Sequence, residues 1–148
     1  MSLTIQEYVA RATEHKAQDV IAAARAVPED KQGSQILGRG RTVLDLVAEC
    51  AITNKMSIAL LRDRRWDEAG REARQKAHAA LDTIDKACDA LAENTAALAA
   101  AIRAVPNDHL ALEVTLPSET STVADDMLHS YWNMCYHEGQ INYIQTLG

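Results

Sequence analysis

From Leu81 to Val105 the apolar positions recur in unbroken steps of three and four: Leu81, Ile84, Cys88, Leu91, Thr95, Leu98, Ile102 and Val105. Such a repeat lines one face of an α-helix and is the seam along which helices pack in bundles and coiled coils. It predicts a long third helix that begins near Trp66 or Asp67 and stops before Pro106. A seam of this length must be buried against other helices, so the rest of the chain has to supply them.

It does so three times. Ile5, Val9, Ala12, Val20, Ala24 and Val27 follow a 3.6-residue period behind Thr4, with Glu7 three residues on, the arrangement of a capping box. That helix ends at Pro28, which cannot continue the hydrogen-bond ladder. After a glycine-bearing connection (Gly33, Gly38, Gly40), Thr42 caps a second helix reaching about Arg64. Its apolar positions are spread widely, so more than one of its faces should be covered. Between Leu110 and Leu116 the period drops to two, which predicts a short extended connection rather than a sheet. The last helix is expected from about Ser118–Ser121 to Thr146, with Val123, Met127, Ser130, Met134, His137, Ile141 and Ile144 inward and Gly148 as a stop. The expected fold is all-α: a single domain over 1–148, a four-helix bundle with a short extended link between its third and fourth helices. One echo runs through it, Arg25–Asp30 repeating as Arg103–Asp108 around a proline. Two related hairpins or one helix-stopping device used twice would each produce it.

Alanine-rich composition without a single Phe suits this reading, since alanine has the highest helix propensity. The formal net charge of -6 argues against nucleic acid as a partner. The local cluster Arg62, Arg64, Arg65 reads as a solvated helix end. No apolar run is long enough to span a bilayer and no signal-peptide pattern stands at the start, so no membrane partner and a cytoplasmic location are expected. Three cysteines, Cys50, Cys88 and Cys135, without CxxC spacing suggest buried, reduced thiols rather than disulfides or a zinc knuckle.

The chemistry-bearing residues lie on two helices. His129, Asn133 and His137 are spaced by four and share a stripe of the last helix, with Gln140 three beyond. Buried polar groups need a partner, which a metal ion, a ligand or another side chain can be. Glu49 shares its stripe of the second helix with Met56 and Leu60. Imidazole and carboxylate together suit zinc, nickel or manganese, and facing helices can bring Glu49 to His137. A seam histidine hydrogen-bonded to its neighbours is the competing account of His137, and a water-facing side chain that of Glu49. His15, His78 and His109 show no pairing pattern and read as surface residues. Cys135 and His137, two apart on a helix, point away from each other. No glycine-rich phosphate loop is present.

Two stretches carry a resemblance. Tyr131–Leu147, reading YWNMCYHEGQINYIQTL, resembles the closing motif of the DinB-like family, with His-x-Gly-Gln its most specific part. Gly40–Ala51, reading GRTVLDLVAECA, resembles that family's second helix. The similarity runs over the chain in order and length. It implies a four-helix bundle, often a homodimer, with a divalent metal (zinc, nickel or manganese) between helices and activity as a thiol-dependent transferase, isomerase or hydrolase on a small molecule. It also implies a metal set of one histidine from the second helix and two from the last. Here Glu49 and Asn133 stand in the first two of those places and only His137 matches, so the implied set is Glu49, Asn133 and His137. Trp132, Tyr136 and Gln140 would line the pocket mouth as substrate contacts. Carboxamide is a poor ligand beside imidazole. A direct polar cluster, in a non-catalytic homodimer or small-ligand binder, is therefore the alternative.

Overall fold

Four threonines open the four long helices. The computed structural model describes residues 2–36 and 38–147; the Gly148 stop lies outside them. Thr4 opens α1 (Ile5–Ala26), Thr42 opens α2 (Val43–Asp63), Thr83 opens α4 (Ile84–Arg103) and Thr122 opens α5 (Val123–Thr146). In each the hydroxyl accepts from the backbone N–H three residues on, at 3.0–3.2 Å. This satisfies a donor that the first turn leaves without an intrahelical partner. The fifth helix, α3 (Arg71–Ala80), has no side-chain cap and buries no residue.

The chain is thus mostly helical, with α4 and α5 each packed against both α1 and α2. The apolar interior falls into two clusters. One holds Val20, Val27, Leu46, Val47, Leu91, Ile141 and Ile144, and the other holds Val9, Leu60, Leu98, Ile102, Val114, Val123 and Met127. Along each long helix a buried polar residue separates them: Thr13 on α1, Asn54 and Ser57 on α2, Thr95 on α4 and Ser130 on α5. Asn54 Nδ2 donates to Thr95 Oγ1 at 2.9 Å, and Ser57 and Ser130 share a hydrogen bond of 2.8 Å. Thr13 and Thr95 return their hydroxyls to the carbonyls of Val9 and Leu91. Asn54 Oδ1 is buried without a partner among the described residues.

Three expectations need correction. The third helix is not continuous. Leu81 closes α3, and Thr83 turns extended (φ -133°, ψ 155°) before α4 begins. The seam proper starts inside α4, where Cys88, Leu91, Thr95, Leu98 and Ile102 are all buried, whereas the polar sequence of α3 has no stripe to bury. The extended connection is half of a small sheet. β1 (Glu113–Thr115) pairs antiparallel with β2 (Thr120–Thr122), Val114 opposite Ser121. Because Thr120–Thr122 is taken by the strand, α5 starts later than expected, at Val123. Thr115 also donates to Arg64 O at 3.0 Å and accepts from Trp66 N at 2.9 Å, tying the end of α2 to the hairpin. Arg64 reaches this bond in the left-handed region, φ 54°.

The sequence echo is structural too. After Pro28 and Pro106 the chain makes the same single 3-10 turn, Glu29–Lys31 and Asn107–His109. No helix among the described residues is long and apolar enough to cross a membrane.

Candidate functional site

Glu49 and His137 meet. His137 is 4% exposed on the face of α5 turned to α2, and its Nε2 lies 3.1 Å from Glu49 Oε2. Its Nδ1 lies 2.6 Å from Gln140 Oε1, one turn along the same helix. With both ring nitrogens on acceptor oxygens, the imidazolium donates at each. In the neutral ring Nε2 donates to Glu49 and a turned Gln140 amide donates to Nδ1.

Glu49 Oε2 also accepts from Arg41 Nη1, just before α2. Arg41 Nε reaches Asp45 Oδ2 at 2.5 Å, and Asp45 Oδ1 lies 3.1 Å from Nε2 of His78 on α3. Burial opposes the Arg41 charge, but its bonds to Asp45 and Glu49 outweigh that and leave its pKa above the ordinary value. A chain of polar contacts therefore runs from Gln140 through His137, Glu49, Arg41 and Asp45 to His78. His78 is not the unpaired surface histidine that its spacing suggested: α3 folds back over α2 and sets it against Asp45. His15, His109 and His129 are exposed.

Asn133, one turn before His137, makes no hydrogen bond through its amide among the described residues, and its Nδ2 is buried. Trp132 and Tyr136 are 64% and 60% exposed and stack on each other, ring centroids 6.3 Å apart, with Tyr136 edge-on to the His137 ring at 5.4 Å. Neither lines the cleft beside Glu49. Gln140 lines a separate recess of about 220 Å³ with Arg41 and Tyr143.

That cleft, of about 490 Å³, lies between α2 and α3. Glu49, Ile52, Thr53 and Met56 form its α2 wall, Arg71, Arg74, Gln75 and His78 its α3 wall, and Trp66 and Glu68 one end. Here α3 covers the second apolar face of α2, as the wide spread of apolar positions required. Both contacts to Glu49 fall on Oε2, so among the described residues Oε1 is left without a hydrogen bond. Arg74 stacks on Trp66, its Cζ 4.6 Å from the ring centroid, and donates from Nη1 to Asp67 O at 2.8 Å. The chain enters α3 through Gly70, in ordinary right-handed backbone (φ -77°, ψ 0°). A Cβ there would sit 2.3 Å from Asp67 Oδ2 and 2.9 Å from Arg74 Nη1.

The residues do not fit a zinc or nickel centre well. Glu49 Oε2 and His137 Nε2 are close enough to share one ion at bond lengths of about 2.1 Å, but among the described residues no third His, Cys, Asp or Glu joins them as a metal-binding group. The carboxylate oxygen they would use already carries a guanidinium. Arg41 supplies beside Glu49 the positive charge that an ion would bring.

Sequence reasoning missed Arg41, Asp45, His78 and Arg74. The run of Arg41, Asp45 and Glu49 at spacings of four was a usable signal, since Asp45 and Glu49 share one stripe of α2 and Arg41 stands just before its cap. No protein-family model matches the chain, and no curated protein matches it.

Proposed function

We propose that this chain is a DinB-like four-helix bundle that binds a small organic molecule in the α2–α3 cleft, with a direct Arg41–Glu49–His137 cluster in place of a metal ion. The observation that carries this reading is the double engagement of Glu49 Oε2. A carboxylate held by a guanidinium and an imidazole is a fixed acceptor, and its other oxygen is left for a ligand. The His137 ring, bonded at both nitrogens and nearly sealed from solvent, serves to position that carboxylate.

The test is the metal content of protein purified without a histidine tag, together with thermal unfolding in added Zn²⁺, Ni²⁺ and Mn²⁺. Far less than one ion per chain and an unchanged melting temperature are expected. One tightly held ion per chain would remove this reading in favour of a second one, a metal-dependent transferase or hydrolase. A single observation supports that second reading: the unpartnered, buried Asn133 amide on the same stripe as His137, which on turning over would present an oxygen there.

A further inference from the structure

We infer that the α2–α3 cleft takes its ligand as an organic anion, a carboxylate on an apolar body, with Arg74 as the group that receives the carboxylate. The inference rests on the reading of this cleft as a ligand site and names what the site selects.

Among the described residues Arg74 forms no salt bridge, although the Asp67 carboxylate lies near its Nη1. Arg71, on the same wall of the cleft, lies 3.5 Å from the Glu68 carboxylate, whereas Arg74 pairs with none among the described residues. Its guanidinium stacks on the Trp66 ring and donates through Nη1 to the Asp67 carbonyl. Its Nη2 is buried and has no acceptor among the described residues. A buried charged donor left without a partner is costly, and more so than a neutral one. A planar fork lacking one acceptor is suited to a carboxylate, and a turn of the side chain toward the cleft would uncover Nη2 for one. The surrounding wall selects the rest of the ligand. Ile52, Met56 and the Trp66 ring are apolar, while Glu49 and Glu68 would repel a dianion such as phosphate. The free Glu49 oxygen, on the wall across from Arg74, would accept from a hydroxyl or ammonium elsewhere on the same molecule. Arg74 also borders a second cleft on the other side of α3, so the experiment has to separate the two.

The probes are phenylacetate, phenylacetamide, phenethylamine and inorganic phosphate, titrated against the full chain by ligand-observed NMR. Phenylacetate is expected to bind tighter than the other three by roughly tenfold or more. Arg74→Met should abolish that preference, and Arg74→Lys, which keeps the charge but not the fork, should restore part of it. Both substitutions fall on a helix with no buried residue, so circular dichroism should show the fold unchanged. Gln75→Trp, which fills the cleft beside Glu49, should block binding, and Ala73→Trp, which fills the second cleft, should not. Equal binding of phenylacetamide, or phenylacetate binding untouched by Arg74→Met, would overturn the anion assignment and leave the cleft as a ligand site. Binding that survives Gln75→Trp and is lost in Ala73→Trp would overturn the placement. No binding of any probe would overturn both the inference and the reading beneath it.

Discussion

The buried imidazole of His137 and the half-buried carboxylate of Glu49, 3.1 Å apart, join α5 to α2. Because Arg41 holds the same oxygen, the three side chains should act as one unit. His137→Ala leaves Gln140 and Glu49 each short of a partner and opens a small void, so a loss of roughly 2 kcal/mol is expected in urea unfolding. Arg41→Met should do something different. It removes the fixed cation and frees the carboxylate, so Zn²⁺ should raise the melting temperature of this variant and not of the parent chain. Equal responses to Zn²⁺ in both would mean that Arg41 does not stand in for an ion.

Asp126 gives the chain a pH dependence of unusual sign. It is 6% exposed with Oδ2 unpartnered, and burial, reinforced by the Asp125 charge, pushes its pKa up to about 6. The unfolded chain gives up this proton near the ordinary 3.8, so between those values the folded state holds the extra proton. Stability from this group is therefore complete below about pH 4 and falls as pH rises through about 6, by at most about 3 kcal/mol. The carboxylates of Glu7 and Glu14, lowered by hydrogen bonds from Arg103, tilt the curve the opposite way at lower pH. The difference between the parent chain and Asp126→Asn isolates the effect. Urea midpoints from pH 4 to 7 should fall more steeply for the parent, and parallel curves would refute the assignment.

The three thiols should separate kinetically. Burial, with Glu49 adding to it, pushes the Cys50 thiol up to about 12, and burial also raises Cys88. Cys135 is only half-buried. A disulfide reagent at pH 8 is expected to label Cys135 in the native protein and to reach Cys50 and Cys88 only as the chain unfolds. Mass mapping after short exposure checks this, and early label on Cys50 would contradict the packing around it.

Thr83 makes the break that keeps α3 out of the α4 seam. Thr83→Ala removes the cap bond to Lys86 N, and about 1 kcal/mol of stability should go with it. Amide exchange at Lys86 should speed up by more than exchange at Leu98 in mid-helix. Uniform exchange across α4 would show that the cap does not hold this end.

How much of this was legible follows from where the determining contacts lie. Thr4 and Thr42 are read as caps because an apolar period starts beside them. Thr83 is not, because the alanine-rich stretch before it has helix propensity of its own, and only the lack of a buried face on α3 separates the two helices. Thr120–Thr122 reads as the approach to a helix, since the partner that makes it a strand, Glu113–Thr115, has no second strand signal to announce it. Glu49 and His137 are visible as polar residues on otherwise apolar stripes. His78 and Arg74 are not, for their contacts arise when α3 folds back over α2, an event that no local pattern encodes.

The hydroxyl and amide groups between the two apolar clusters have a consequence for alignment. Leucines and valines can interdigitate in several offsets, but Asn54 finds Thr95, and Ser57 finds Ser130, in one only. Sliding α2, α4 or α5 by a turn would strand these groups in hydrocarbon, so the layer works as a key that admits a single registry for these three helices. Replacing Asn54, Ser57, Thr95 and Ser130 together by aliphatic residues should leave a helical, stable chain whose NMR spectrum splits into several slowly exchanging forms.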